Sequence, residues 1–202
     1  MCGRFILLTD LSTIVECFDV GRTTLASLPA GDLLPGQSIP AVIRDGENLL
    51  VAFRWGLIPS WAKDPACGRR MINARAETLD RKPSFREAFQ RRRCLIPADG
   101  FYEWRGAKGH REAVRFRLRT GEPFGFAGLY ETWSSPAGET LRTCTIVTTA
   151  SNALVAPVHD RMPAILSGDR MALWLDPLVR DPARLPSLLA PYPAEEMIGE
   201  AV

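Results

Sequence analysis

Cys2 stands in Met1-Cys2-Gly3-Arg4-Phe5, so removal of Met1 would leave a thiol and a free α-amine on one residue. Unperturbed, such a thiol titrates at about 8.5 and the amine at about 7.7–8.0, so both are partly reactive at neutral pH. A 1,2-aminothiol attacks an aldehyde with nitrogen and then closes through sulfur into a thiazolidine ring, which no internal cysteine can do. The same position also fits an arbitrary second residue on a frayed terminus. Cys2 alone leaves both readings open.

Three further residues could supply proton transfer and orientation. Asn73 lies in Met71-Ile72-Asn73-Ala74-Arg75-Ala76-Glu77-Thr78. Its amide offers two donors and an acceptor, suited to a sugar oxygen or a terminal amine. Arg75 and Glu77, two apart, would share a face on a strand, and the whole segment also reads as an ordinary loop with an Arg–Glu pair. Glu103 is the one acid in Gly100-Phe101-Tyr102-Glu103-Trp104. Drawn in among those aromatics, its carboxyl would titrate higher and work as acid and base near neutrality; left outside, it is a solvated strand residue. His159, in Val158-His159-Asp160-Arg161-Met162-Pro163, is of the residue type best poised for proton transfer at pH 7, although a lone histidine is often structural. The second histidine, His110, falls in a turn and reads as solvated. Aromatics and an arginine interleave in Phe53-Arg54-Trp55-Gly56-Leu57-Ile58-Pro59-Ser60-Trp61. That pairing suits base stacking and phosphate contact on single strands, whereas Trp55 and Ile58 at helix-like spacing fit a core.

The elements that must position these residues are short, because sixteen prolines and sixteen glycines punctuate the chain. Leu11–Phe18 reads as a helix capped by Asp10 or Ser12, and 31–40 as a loop. Ala41–Ile43 and Leu49–Arg54 read as strands turned at Asp45-Gly46. Ser84 and Glu87 are spaced as a capping box. Cys94–Pro97, Phe101–Trp104, Ala113–Leu118, Pro123–Leu129 and Leu141–Thr148 read as strands, the third alternating apolar and basic. Asp169–Leu175 and Pro182–Leu189 read as helices. The pattern predicts an α+β fold around a largely antiparallel sheet, one domain over 1–202, with residues 176–202 as a helical cap.

Bulk properties narrow the function classes. The chain has 202 residues, 46% hydrophobic and 24% charged, with net charge +2, as an ordinary globular domain has. No run of 18 apolar residues marks a membrane span, and no signal peptide is read at the start, so a cytoplasmic protein is expected. The five cysteines form no C-x-x-C pair and only two histidines are present, so no metal is expected. Cys17, Cys94 and Cys144 read as buried small hydrophobes. Residues 69–93 hold nine basic residues against three acids, a stretch that could meet phosphates or form ion pairs within the protein.

Taken in order, Met1-Cys2-Gly3-Arg4-Phe5, Trp55-Gly56-Leu57-Ile58-Pro59-Ser60-Trp61, Asn73-Ala74-Arg75-Ala76-Glu77-Thr78, Arg93 through Trp104 and His159-Asp160-Arg161-Met162-Pro163 resemble the SRAP (SOS-response-associated peptidase) family. The resemblance spans residues 1 to about 163, and five motifs in order make it specific. It implies a partly barrel-like sheet flanked by short helices, and a protein that shields abasic sites in single-stranded DNA through a covalent crosslink. It implies that Cys2, freed of Met1, forms the crosslink, that Asn73 sits near the α-amine and the opened sugar, that Glu103 is the acid/base, and that His159 assists ring opening and crosslink reversal. It places Arg4, Pro35, Trp61 and Arg75 at the DNA. It further implies peptidase-like removal of Met1, lyase-type reversal, no cofactor, a monomer, and association with the nucleoid on damage. The chain departs from the family at Asp32, where an Asn is usual, and at Leu34, where an Ala is usual; Pro35 and Gln37 are kept. An acid at position 32 repels phosphate unless it is paired.

Two other readings stay open on the residues. In an N-terminal-nucleophile amidohydrolase or peptidase, the Cys2 thiol attacks an amide with the α-amine as base and Asn73 contributes to an oxyanion hole. In a non-covalent single-stranded DNA module, Glu103 and His159 have no task.

Overall fold

A computed structural model describes residues 2–106, 110–179 and 185–202. Along the chain run β1 (Phe5–Leu7), α1 (Leu11–Cys17), β2 (Val20–Thr23), β3 (Gly31–Leu33), β4 (Ser38–Asp45), β5 (Glu47–Trp55), β6 (Asn73–Arg75), α2 (Arg86–Arg91), β7 (Arg93–Ala98), β8 (Gly100–Arg105) and β9 (Glu112–Leu118). They are followed by β10 (Phe124–Ser134), β11 (Thr140–Ala150), β12 (Arg161–Pro163), β13 (Ile165–Leu166), α3 (Asp169–Leu175), α4 (Leu185–Leu188) and β14 (Met197–Ala201). The class is α+β, sheet-rich, with a few short helices.

The strands make two sheets. One runs β12-β11-β10-β7-β4-β5-β2, and a parallel pairing of β11 with β5 closes β11, β10, β7, β4 and β5 into a five-stranded barrel. The other runs β14-β9-β8-β1-β3 and is antiparallel throughout. Phe5 joins the two: its ring lies 5.3 Å from that of Trp55 and 5.6 Å from that of Phe126. Burying aromatics of this size is the main source of core stability. Here it also fixes β1, and with it Cys2, over the barrel. Asp99 pins the other end of β1 by accepting from Leu8 N, Thr9 N and Thr9 Oγ1.

Local chemistry explains most boundaries. Asp10 caps α1 by accepting from Thr13 N at 3.0 Å, satisfying one of the first helical donors. Gly46 turns β4 into β5 with φ +75°, a conformation that favours glycine. Gly56, with φ +129°, lies so close to Gly68 that a Cβ would sit 2.7 Å from the Gly68 carbonyl oxygen. That approach folds the 57–72 loop back on the barrel.

Several expectations need correction. Residues 31–40 are not all loop, because β3 pairs with β1 and β4 begins at Ser38. Both strands expected around Asp99 are present, and the chain changes sheet between them: β7 joins β10 and β4, while β8 joins β1 and β9. Ser84 makes no capping box, since the helix starts at Arg86 with Phe85 as its cap; burial of Phe85, Ala88 and Phe89 sets that start. Cys17 is exposed, unlike Cys94 and Cys144. The tail is not a helical cap throughout. The predicted helix over 182–189 is α4 alone, its first residues lying outside the described ones, and residues 197–201 form β14 along β9. Glu200 of β14 is held by Arg115 at 2.7 Å and Arg117 at 2.8 Å, which bring its carboxyl down to about 2.

The basic stretch turns out to be divided. Arg93 is buried and donates to five carbonyl oxygens, those of Trp174, Phe89, Gln90, Asp176 and Val179, at 2.6–3.0 Å. It ties the ends of α2 and α3 to β7. Arg92 pairs with Glu87 and Glu131, whereas Arg69, Arg70, Arg75, Arg86 and Arg91 are exposed. Each buried carbonyl left without a donor costs about 1–3 kcal/mol. Arg93→Met should therefore lower unfolding stability by about 3 kcal/mol or more, read from urea denaturation; a loss below about 1 kcal/mol would show that the carbonyls find other donors.

Candidate active site around Cys2

The two sheets meet where β1 begins. Cys2 is fully buried, and its Sγ donates to Arg4 O at 3.9 Å. Tyr102 N donates to Arg4 O at 3.0 Å, which continues the β1–β8 register and sets Glu103 beside the start of the chain. Asn73 comes from β6, held parallel to β11. Its Nδ2 donates to Cys2 O at 2.8 Å, and its Oδ1 is buried with no hydrogen-bond partner among the described residues. His159 precedes β12, on the far side of β11. Strands β6 and β8, remote in sequence, thus meet at Cys2, and the segment before β12 brings His159 near Glu103.

Electrostatics tie the four residues together. Glu103 is only 2% exposed. Burial raises its carboxyl above the ordinary carboxylate range, while a positive charge on the neighbouring His159 pulls it back down. Burial also pushes the Cys2 thiol up, and the negative charge of Glu103 pushes it further. The thiol is therefore held protonated at neutral pH. His159 Nδ1 accepts from Arg161 N at 3.0 Å and also lies 3.0 Å from Asp160 Oδ1. Neutral imidazole can accept at Nδ1 from that N–H, and imidazolium can donate from Nδ1 to that carboxylate. Either protonation state has a partner in place.

Two features of this region were not read from the sequence. Arg161 forks onto Glu77 at 2.7 and 3.0 Å and donates to Thr148 O at 2.6 Å. Glu77 thus pairs with Arg161, which joins the motif of Asn73 to that of His159. The signal was present in both motifs, but only the β6–β11–β12 order brings them together. Thr148, opposite Arg75 on one side and Pro163 on the other, buries a hydroxyl that has no partner among the described residues. The fork holds the Glu77 carboxyl below its usual range. A depressed folded value means stability that is present above the unfolded value, about 4.3, and lost as pH falls through the folded one. Glu77 is half exposed, so Glu77→Gln should cost only about 0.5–1 kcal/mol at pH 7. Thermal melts should show that gap shrinking as pH falls below about 4.3, and a gap that does not change with pH would assign the loss elsewhere.

Of the residues that the resemblance places at DNA, Arg4 and Arg75 follow Cys2 and Asn73 by two positions in the chain, while Trp61 and Pro35 line cavities elsewhere. Trp61 is 63% exposed, in contrast to the core residues Trp55 and Ile58. It lines a cavity of about 500 Å³ together with Lys63, Arg69 and Arg70. Pro35 lines a second, of about 680 Å³, with Arg54 and Arg69. The two share Asp64, Ala66 and Arg69, and neither is lined by Cys2, Asn73, Glu103 or His159. Arg75 is exposed at the end of β6. Arg4 is paired with Asp32, Nε to Oδ2 at 3.2 Å. No group of three or more His, Cys, Asp or Glu suited to a metal is found among the described residues. No helix among them is long and apolar enough to cross a membrane.

A closed barrel in a sheet-rich α+β fold, with a buried cysteine at position 2 held by Asn73 and lying beside Glu103, defines the class of protein. The chain belongs to the SOS response associated peptidase (SRAP) family, whose model matches residues 1–202. It is 47% identical over 205 residues to the abasic site processing protein YoqW of Bacillus subtilis, covering 98% of this chain and 90% of that one. It is 34% identical over 158 residues to the abasic site processing protein HMCES of Xenopus tropicalis, covering 64% of this chain and 46% of that protein. A crystal structure of a Bacteroides thetaiotaomicron protein superposes with TM-score 0.89 at 28% identity, covering 100% of this chain and 92% of that one.

Proposed function

We propose that this protein processes abasic sites in DNA by capturing the sugar aldehyde on Cys2 as a thiazolidine, after Met1 has been removed. The observation that carries the proposal is that Asn73 holds Cys2, with Glu103 beside it and His159 near Glu103, from separate parts of the chain. The relatives named for abasic site processing supply the substrate class. Met1 itself lies outside the described residues.

An abasic sugar is mostly a closed hemiacetal. Glu103, whose carboxyl burial raises, gives a proton to the ring oxygen as its bond to C1 breaks, and His159 takes the proton of the C1 hydroxyl. The Cys2 amine then attacks the aldehyde carbon, and water leaves to give an iminium. Sulfur adds to that carbon and the thiol proton passes to a base, closing the ring. The sum is aldehyde plus aminothiol giving thiazolidine plus water. The buried acceptor Asn73 Oδ1 suits an amine N–H on the mature Cys2. Arg4, Pro35, Trp61 and Arg75 hold a single strand, so binding weakens as salt rises.

A thiol that burial keeps protonated is a poor first nucleophile. This favours amine attack first and disfavours a peptidase that turns over peptides through the Cys2 thiol. The test is a denaturing gel of mature protein with an abasic oligonucleotide and an undamaged control, beside a peptide-turnover assay. A shifted band with the abasic strand alone is expected. Peptide turnover without a band would favour the hydrolase, and neither result would leave a non-covalent single-stranded DNA module.

A further inference from the structure

One row of side chains crosses the whole five-stranded sheet: Asp32 of β3, Arg4 at the start of β1, Tyr102 of β8, Arg115 of β9 and Glu200 of β14. The registers put Tyr102 opposite Arg115 and Arg115 opposite Glu200. Asp32 Oδ2 lies 3.2 Å from Arg4 Nε, the Arg4 guanidinium lies 5.4 Å over the Tyr102 ring, and burial together with the Asp32 carboxylate raises the Tyr102 phenol. Arg115 is taken at its far end by Glu200 at 2.7 Å. Acid, base, phenol, base and acid therefore alternate, and each cation in the row has a carboxylate partner within the protein.

The row has a consequence for binding. Arg4 and Asp32 are only 37% and 35% exposed, so the pair is partly shielded but still reachable from solvent. A carboxylate on a guanidinium uses the same donors as a phosphate oxygen. A DNA phosphate can therefore reach Arg4 with full charge only by displacing Asp32.

We infer that Asp32 is a specificity-determining residue, an internal competitor that occupies Arg4 until a DNA phosphate displaces it and so lowers affinity for undamaged single strands. The inference rests on the reading of Arg4 as a DNA contact. With non-covalent affinity held down, retention on DNA depends more on whether an aldehyde is there for Cys2 to capture. The Tyr102 ring lies against Arg4 from the other side of the row.

Equilibrium binding of the mature protein to an undamaged oligo-dT strand, followed by fluorescence anisotropy across a salt series, tests this without using the crosslink. Asp32→Asn keeps the size of residue 32 but removes its charge. It should tighten binding about three- to fivefold, the range of a partly exposed ion pair. It should also steepen the slope of log affinity against log salt by up to about 0.7, the value for one added phosphate on a single strand. Asp32→Glu should return both to the wild-type values. In an Arg4→Ala background Asp32→Asn should have no more than a small effect, because the partner through which it acts is gone.

Unchanged or weaker binding by Asp32→Asn would overturn the inference, and so would an equal gain in the Arg4→Ala background. Weaker binding together with a lower melting temperature would make Asp32 structural. If Arg4→Ala alone binds like wild type, Arg4 is no DNA contact and the inference falls with it. The proposed function fails separately, by the absence of a denaturant-resistant band with wild-type protein and an abasic strand.

Discussion

Cys2→Ala, processed to a free N-terminus, is expected to give no heat-stable adduct with abasic single-stranded DNA. Its amine remains and can still form an imine, so borohydride should trap a band that heat alone destroys. Cys2→Ser should behave in the same way, because an alkoxide closing onto an iminium gives a ring that opens far more easily than the sulfur ring. A chain that keeps Met1 has its Cys2 nitrogen in a peptide bond and should form no heat-stable adduct. The size of the effect follows from proximity. Holding amine, thiol and aldehyde together replaces a bimolecular encounter, a gain of up to about 7–11 kcal/mol in ideal geometry. The site has the parts for this: Asn73 fixes the Cys2 carbonyl at 2.8 Å, and the packing of Phe5 on Trp55 and Phe126 fixes the strand. A full-strength heat-stable band from Cys2→Ala would place the bond on another residue and end the proposal.

What the sequence could reveal followed the range of the forces involved. Short-range signals were legible. Asp10 caps α1, Asp45-Gly46 turns β4 into β5, and the alternation in Ala113–Leu118 marks β9. Position 103 was ambiguous because aromatics flank it on both sides in the chain. Burial in the folded protein decides it, and no local pattern encodes which face of a strand is covered by a neighbouring element. β3 and β14 escaped notice for the same reason. Each is short and strand-like only beside its partner, β1 or β9. The positions of Cys2, Asn73, Glu103 and His159 were picked out as residues of the right chemistry. That β6 and β12 would lie on β11, drawing Glu77 and Arg161 into a bidentate pair across 84 residues, needed the topology. Asp32 is the clearest case. From sequence it was an acid in a place where phosphate is expected, and only the packing of β3 on β1 shows that its charge is already met by Arg4.

Glu103→Gln is the second large effect, and its pH dependence separates a proton-transfer role from a structural one. A positioned acid or base contributes about 10²–10⁴-fold to a rate, so single-turnover adduct formation should slow by that order. Gln keeps the shape and hydrogen-bonding capacity of the side chain but gives up no proton. In the wild type, burial raises the Glu103 carboxyl, so its acid form survives above the ordinary carboxylate range and is lost as pH rises through the raised value. The wild-type rate of ring opening should therefore fall on that side, and the fall should be missing from Glu103→Gln. The substrate offers a further control. An oligonucleotide ending in a free aldehyde that cannot cyclise needs no ring opening, so the variant should recover most of its rate on that strand while the closed abasic sugar stays slow. A variant equally slow on both strands, with the wild-type pH profile, would show that Glu103 shapes the Cys2 pocket and moves no proton to the sugar. The raised thiol adds a constraint in the same direction. Glu103 in its charged form pushes the Cys2 thiol further from ionisation, so an early thiolate would require Glu103 to be neutral, the state that burial favours. The order of events consistent with both groups is a protonated Glu103 opening the sugar, amine attack next, and sulfur last, when the carboxylate left by the first step can accept the thiol proton.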